Sequence, residues 1–221
     1  MQLGGGGYDV VGALAVAVSL AIGLAAREFG RAVAADRLGD ASPRRWGRLT
    51  PNPVAWDDAF GTVILPALLV VLWAAGYRFP PFAYAKPLPL DTSNLRRFPR
   101  DVVLVSITGP VVNVALAVVA GVLVAVGLGS GSGRTCVILS DFILTNVTLA
   151  VFHLLPIPGL DGARMLALVM SPRAREVYRN LDQYLVLFIL LIYFLLGGPA
   201  LAIVTVLRDA ILGLVPGGSG C

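Results

Sequence analysis

Two arginines and two carboxylates carry the most unusual chemistry in this sequence. Arg27, Glu28 and Arg31 stand in an otherwise apolar stretch, and Asp161 follows a proline-broken apolar run. Positions 27 and 31 share one face of a helix because they are one turn apart. With histidines at that spacing the string is H-E-x-x-H, in which two imidazoles hold zinc and the glutamate is the general base toward a metal-bound water.

Arginine changes what this spacing does chemically. A guanidinium has five N–H donors and no lone pair to give a metal, and it stays protonated in proteins. Asp161 alone cannot hold catalytic zinc, which needs three protein ligands. Without a metal, Glu28 has no acidified water to act on. We therefore expect no zinc cofactor and no hydrolysis at this position.

Charge balance predicts what occupies the site instead. The formal charges of the two arginines, Glu28 and Asp161 sum to zero. We therefore expect Arg27 and Arg31 to pair with the two carboxylates, because an unpaired buried charge costs several kcal/mol. Two alternatives stay open: the arginines could extend to water at the helix end, or His153, Asp161 and Glu28 could form a rearranged metal site.

The composition of the chain indicates the medium in which these residues lie. Hydrophobic residues make up 57% of 221 residues, charged residues only 14%, and the mean hydropathy is +0.83. A soluble domain has about 25% charged residues, so the chain is predicted to be a multi-pass protein of the cell membrane. Its basic residues lie between apolar spans, which favours the lipid bilayer over nucleic acid as the partner.

The apolar runs predict an all-α polytopic fold with five or six transmembrane helices. The proposed spans are 11–35, 61–76, 102–129, 135–155 and 184–207, with a sixth at 200–215 if Gly197, Gly198 and Pro199 split the last run. The proline-rich stretch 77–101 excludes a helix and predicts a short membrane-edge hairpin or extended loop. A single membrane-embedded domain at 11–215 is expected between flexible termini at 1–10 and 216–221.

Five stretches of this sequence resemble the site-2 protease family of intramembrane zinc metalloproteases, in its short bacterial branch without a PDZ domain. They cover residues from about 20 to 170 in the family's order: "REFGRAVAADRLGD", "GRLTPNPVAWDDAFGTVILP", "FAYAKPLPL", "GPVVNVALA" and "FHLLPIPGLDGARM". The resemblance implies a helical core in which the first and last motifs face each other at membrane depth. It also implies zinc ligands at positions 27, 31 and 161, of which only Asp161 could ligate, and a general base at Glu28.

Two further polar residues lie inside apolar spans and are candidate substrate contacts. Asn113 follows Gly109-Pro110, and His153 precedes Asp161 by eight residues. A structural role is the alternative for each, since amides in membrane helices bond across helices. The family resemblance places a polar residue at the position of His153, near the substrate path.

These residues favour a non-hydrolysing relative of the proteases, a pseudoprotease that binds transmembrane segments or partner proteins. The alternative is an active intramembrane zinc metalloprotease that cleaves transmembrane substrates, which requires another residue set to hold the metal. A small transporter or channel is disfavoured because the protease resemblance accounts for the proline-broken span.

Overall fold

The apolar stretches of the sequence fold into helices. The structure, a computed structural model, describes residues 10–56, 58–75, 81–128 and 133–213, and these ranges contain helices and loops but no strand. The predicted flexible termini, apart from Val10, lie outside the described residues. The α-helices are α1 (Val10–Leu38), α2 (Ser42–Arg45), α3 (Leu65–Ala74), α4 (Arg100–Leu123), α5 (Gly133–Leu154), α6 (Asp161–Ala167), α7 (Pro172–Asn180) and α8 (Leu185–Gly213). Short 3₁₀ or π turns at Pro53–Trp56, Ala59–Ile64, Val124–Leu128 and Leu181–Tyr184 adjoin them.

Three of the described helical segments are long and apolar enough to cross a membrane: Val11–Leu38, Arg100–Gly127 and Gly133–Leu154. They correspond to the first, third and fourth predicted spans. Large apolar side chains such as Leu14 and Val118 are exposed on their outer faces, which suits lipid and not water. The chain is therefore a membrane protein, and the count of five or six spans stays a prediction.

Two proline-containing stretches remain helical. Helix α8 runs without interruption from Leu185 to Gly213, through Pro199, so the split of the last run, which the sequence left open, is not observed. Helix α4 likewise continues through Pro110. Helices in membranes tolerate proline because neighbouring helices and local adjustments satisfy the freed backbone groups.

The proline-rich segment takes the extended-loop form over residues 81–99, and residues 77–80 of the predicted stretch lie outside the described residues. Tyr84 N donates to Gly61 O at 3.3 Å, and Lys86 N donates to Trp56 O at 3.0 Å. These two bonds hold the loop against the segment that leads into α3. The loop then reaches the start of α4.

The core surrounds α1. The main apolar cluster joins Leu20 and Leu24 of α1 to Trp73 of α3, Phe152 of α5 and the extended loop at Phe82. This packing fixes the inner face of α1 against α3, the loop and α5. The charged residues of α1 continue from the same buried face, so the core decides where they lie.

Asp40 connects two loops at the end of α1. Its carboxylate accepts from Ser42 Oγ at 2.6 Å, from Asp91 N at 2.9 Å and from Asn94 Nδ2 at 3.3 Å. Burial alone would raise the pKa of the Asp40 carboxyl, but these hydrogen bonds outweigh it and lower the pKa below its ordinary value. The ionised carboxylate thus stabilises the junction.

Replacing Asp40 should weaken the protein at neutral pH and remove part of its acid sensitivity. Because the folded pKa is depressed, the stabilisation is present above the ordinary carboxyl pKa and disappears as pH falls through the folded value. We expect Asp40→Asn to lower the midpoint of thermal unfolding at pH 7 and to flatten its fall below pH 4. A scan of thermal unfolding against pH in detergent measures both, and equal acid slopes in the two proteins would contradict this role.

Candidate functional site

Helix α1 carries three of the four charged residues on its buried face. The exposed fractions are 1% for Arg27, 2% for Glu28 and 4% for Arg31. The alternative in which the arginines extend to water at the helix end is therefore wrong. Both guanidinium groups lie inside the helical bundle, where α4 and α5 cover this part of α1.

The fourth charged residue is brought in by the broken end of α5. That helix ends at Leu154, the chain passes through Pro156 and Pro158, and α6 begins at Asp161. A Cβ at position 162 would lie 2.1 Å from Leu154 O, so only glycine allows the first turn of α6 to rest directly on the end of α5. The Asp161 side chain is consequently buried, with 2% exposure.

The two arginines and two carboxylates form a closed cluster of ion pairs, as the charge balance predicts. Arg27 donates to Glu28 Oε1 at 2.5 Å and also to Asp161 Oδ2. Arg31 Nη1 lies 3.0 Å from both Glu28 oxygens. Arg31 Nη2 lies 2.8 Å from Asp161 Oδ1. This contact is an ion pair and not a hydrogen bond, because the N–H groups are not directed at the oxygen. Each carboxylate thus contacts both arginines.

This cluster can hold helices together, because its formal charge is zero and it links α1 to α6 across 134 positions of sequence. Desolvation of four charges is costly, and a buried set of ion pairs is favourable only if the partners are all present. Arg27 Nε and Arg31 Nε find no acceptor. The cluster is thus satisfied in charge but not in every hydrogen bond.

Gly109 of α4 makes room for the two arginines. A Cβ at this position would lie 2.9 Å from Arg31 Cδ and 3.1 Å from Arg27 Nη2. Both distances are shorter than ordinary van der Waals contact, so α4 approaches the guanidinium groups as closely as a helix can. The sequence motif around Gly109-Pro110 therefore contributes space, which its residue types alone did not indicate.

Alanine at position 109 should destabilise the cluster. We expect Gly109→Ala to cost about 1–3 kcal/mol, the usual range for overpacking, because the arginines must leave their positions against the carboxylates. Gly133→Ala is the matched control, since a Cβ there meets nothing within 4 Å. Thermal unfolding of the two variants in the same detergent should separate them clearly; equal midpoints would show that α4 does not press on the arginines.

The other two candidate residues lie differently. His153 is 3% exposed and its Nδ1 lies 2.8 Å from Leu149 O, while its Nε2 has no hydrogen-bond partner among the described residues. It lines a small cavity of about 10 Å³ together with the four charged residues. Asn113 is fully buried on α4, and within the described part of the chain neither of its amide atoms has a hydrogen-bond partner; it does not line that cavity. A substrate-binding role for either residue stays a prediction.

Arg164 is a member of this region that residue types did not single out. It lines the same small cavity, and its Nη2 donates to Leu88 O at 3.3 Å on the extended loop. Burial, followed by the positive charge of Arg31, lowers the pKa of Arg164 to about 10. Arg164 follows Asp161 by three residues, about one helical turn, and this spacing was the sequence signal that could have identified it.

The described residues include no group of three or more His, Cys, Asp or Glu side chains positioned to hold a metal ion. A ligand set of His153, Asp161 and Glu28 is thus not assembled here, although His153 and Asp161 border the same cavity. The nitrogen atoms nearest Asp161 in the cluster belong to guanidinium groups.

The known proteins that this chain resembles are all named as zinc metalloproteases. The chain is 30% identical over 206 residues to "Putative zinc metalloprotease YwhC" of Bacillus subtilis, an alignment that covers 89% of each protein. It is 31% identical over 174 residues to "Putative zinc metalloprotease Rip2" of Mycolicibacterium smegmatis, covering 76% of this chain and 63% of Rip2. The Rip2 protein of Mycobacterium tuberculosis is 28% identical over 172 residues. No family model and no solved structure matches the chain.

The relative from Bacillus subtilis covers nearly the whole chain, from the charged face of α1 to the helices beyond Asp161. The chain belongs to the site-2-protease-like family of zinc metalloproteases.

Proposed function

We propose that this chain is a non-hydrolysing member of its family, a pseudoprotease with a site-2-protease-like core that binds transmembrane segments or partner proteins. In this proposal Arg27 and Arg31 occupy the positions at which an active member places two zinc-ligand histidines. Glu28 then occupies the general-base position without a metal-bound water to activate. The observation that carries the proposal is the ion-pair cluster, in which both arginines contact Asp161 and Glu28.

The residues present do not fit the zinc ion that the family name implies. Zinc in a catalytic site takes three protein ligands with lone pairs, and a guanidinium offers only N–H donors. Asp161 has both oxygens engaged by arginines. The cavity beside the cluster, about 10 Å³, is at the lower limit of what a single water needs. Two fixed positive charges would also repel a dication.

A helix-binding role is supported by the helices that the ion-pair cluster keeps together. The ion pairs join α1 to α6 and so hold the same elements that a family member would need around its site. The extended loop at 81–99 packs beside α1, and its residues Tyr84, Ala85 and Pro87 line the small cavity of the cluster. A binding surface of this kind needs no metal.

Reconstitution with labelled single-span helices tests the proposal. The full chain in liposomes should associate with a subset of such helices, measured by energy transfer, and release no cleaved product. Product formation that a zinc chelator and Glu28→Gln both abolish would contradict the proposal. Failure to associate with any helix in a varied panel would overturn the proposal that the chain binds transmembrane segments.

An active metalloprotease is the second candidate, favoured by the names of the relatives and by the unpartnered Nε2 of His153 beside Asp161. It requires the arginines to leave the cluster so that His153, Asp161 and Glu28 come together. Zinc bound in the unaltered protein and lost in His153→Ala would favour this candidate.

A further inference from the structure

A second and much larger cavity lies next to the ion-pair cluster. Its volume is about 370 Å³, and the extended loop, the start of α4, α6 and α7 enclose it. It shares Pro87, Gly159 and Arg164 with the small cavity of the cluster but none of the four ion-paired residues. The volume falls in the range of small-molecule sites, so the cavity is large enough for a ligand group of its own.

The charged side chains of this cavity are mainly basic. Three arginines line it, Arg164, Arg175 and Arg179, against one carboxylate, Asp182. Arg175 is held in place, since Nε donates to Ala167 O at 2.8 Å and Nη2 to Met170 O at 3.3 Å. Arg164 also lines the cavity, and its Nη1 is buried with no hydrogen-bond partner among the described residues. The cavity therefore favours an anion.

Most of the remaining lining is apolar, with Thr92 and Tyr178 as polar exceptions. Leu88 and Leu90 of the extended loop, Phe98 before α4, and Val102 on α4 contribute large apolar side chains. A free phosphate or a short polar anion would leave these apolar side chains uncovered. An amphiphile with a phosphate and a hydrocarbon portion matches both kinds of lining.

The position of the cavity selects the kind of amphiphile. It lies at the end of the molecule where α1 ends and α4 begins, since Arg96 N donates to Leu38 O at 3.2 Å. This end also carries most of the other described arginines that lie outside the spans or at their ends: Arg37, Arg44, Arg45, Arg48, Arg97, Arg100 and Arg173. Basic residues flanking apolar spans attract anionic headgroups.

We propose that this cavity binds the headgroup of an anionic phospholipid. The guanidinium groups of Arg164, Arg175 and Arg179 receive the phosphate, because arginine pairs with phosphate through several charge-assisted hydrogen bonds. The apolar wall at Leu88 and Phe98 receives the glycerol and the first acyl carbons.

Lipid retention by the purified full chain tests the proposal. Protein from phosphatidylcholine nanodiscs with and without phosphatidylglycerol is released and examined by native mass spectrometry, and affinity is obtained by titrating phosphatidylglycerol. Arg179→Gln removes one exposed cation of the cavity. Arg173→Gln, on the same helix but outside the cavity, is the matched control for charge.

The unaltered protein should retain phosphatidylglycerol in preference to phosphatidylcholine. Arg179→Gln should weaken retention about fivefold, the effect of one basic residue near an anionic surface, and Arg173→Gln should not. Equal weakening by both variants would show a diffuse surface charge and overturn the site. Competition by inorganic phosphate as effective as by the lipid, or displacement of the lipid by a carboxylate-ended peptide, would overturn the choice of occupant.

Discussion

Asp161→Ala should destabilise the protein by about 3–5 kcal/mol, the usual consequence of removing one partner from a buried ion pair. Both arginines of the cluster would lose a carboxylate that contacts them, and the Asp161 side chain that carries it is only 2% exposed. Glu28 would then face two buried guanidinium groups alone. Thermal unfolding of the full chain in detergent, or unfolding in lipid by steric trapping, measures the loss.

Asp36→Ala provides the comparison for this experiment. Asp36 pairs with Arg44 at 2.6 Å, but the Arg44 side chain is 69% exposed. An exposed pair of this kind contributes little, so its loss should leave the unfolding midpoint nearly unchanged. If Asp161→Ala were as mild as Asp36→Ala, the cluster would not be the element that joins α1 to α6.

The second large effect is expected from Arg27→His combined with Arg31→His. The double variant supplies two imidazoles one turn apart beside Asp161, which are the three ligands of a catalytic zinc site. Removing both guanidinium groups also frees the space and the carboxylate oxygens that they occupy. We expect the double variant to bind zinc in a one-to-one ratio, measured as metal content after dialysis.

Two controls make that result specific. Arg27→Gln with Arg31→Gln removes the same charges but provides no imidazole ligand, so it should bind no zinc. Adding Asp161→Ala to the histidine variant should abolish the binding. Zinc uptake by the glutamine variant equal to that by the histidine variant would contradict the assignment of positions 27 and 31.

The charged cluster could be predicted from the sequence because the formal charges of its four residues balance. Four ionisable residues in or beside apolar stretches are expected to pair, and Glu28 and Asp161 supply the two negative charges that balance the two arginines. The helical boundaries of α1, α4 and α5 followed from the length of apolar runs. The break at Pro156 and Pro158 followed from proline chemistry.

Other features depended on three-dimensional contacts that no single stretch contains. The sequence left open whether Gly197, Gly198 and Pro199 divide the last run, and α8 is continuous, because helices in membranes tolerate proline. The clearance at Gly109 is visible only once α1 and α4 are side by side. The basic cavity combines residues from a loop and three helices, so no single sequence motif predicts it.

The metal content of the unaltered full chain, purified without chelators and measured by mass spectrometry, tests the central claim most directly. Because the guanidinium groups of Arg27 and Arg31 hold both oxygens of Asp161, zinc should be far below one ion per chain. A tightly held zinc ion in every chain, lost on changing Asp161→Asn, would contradict the account.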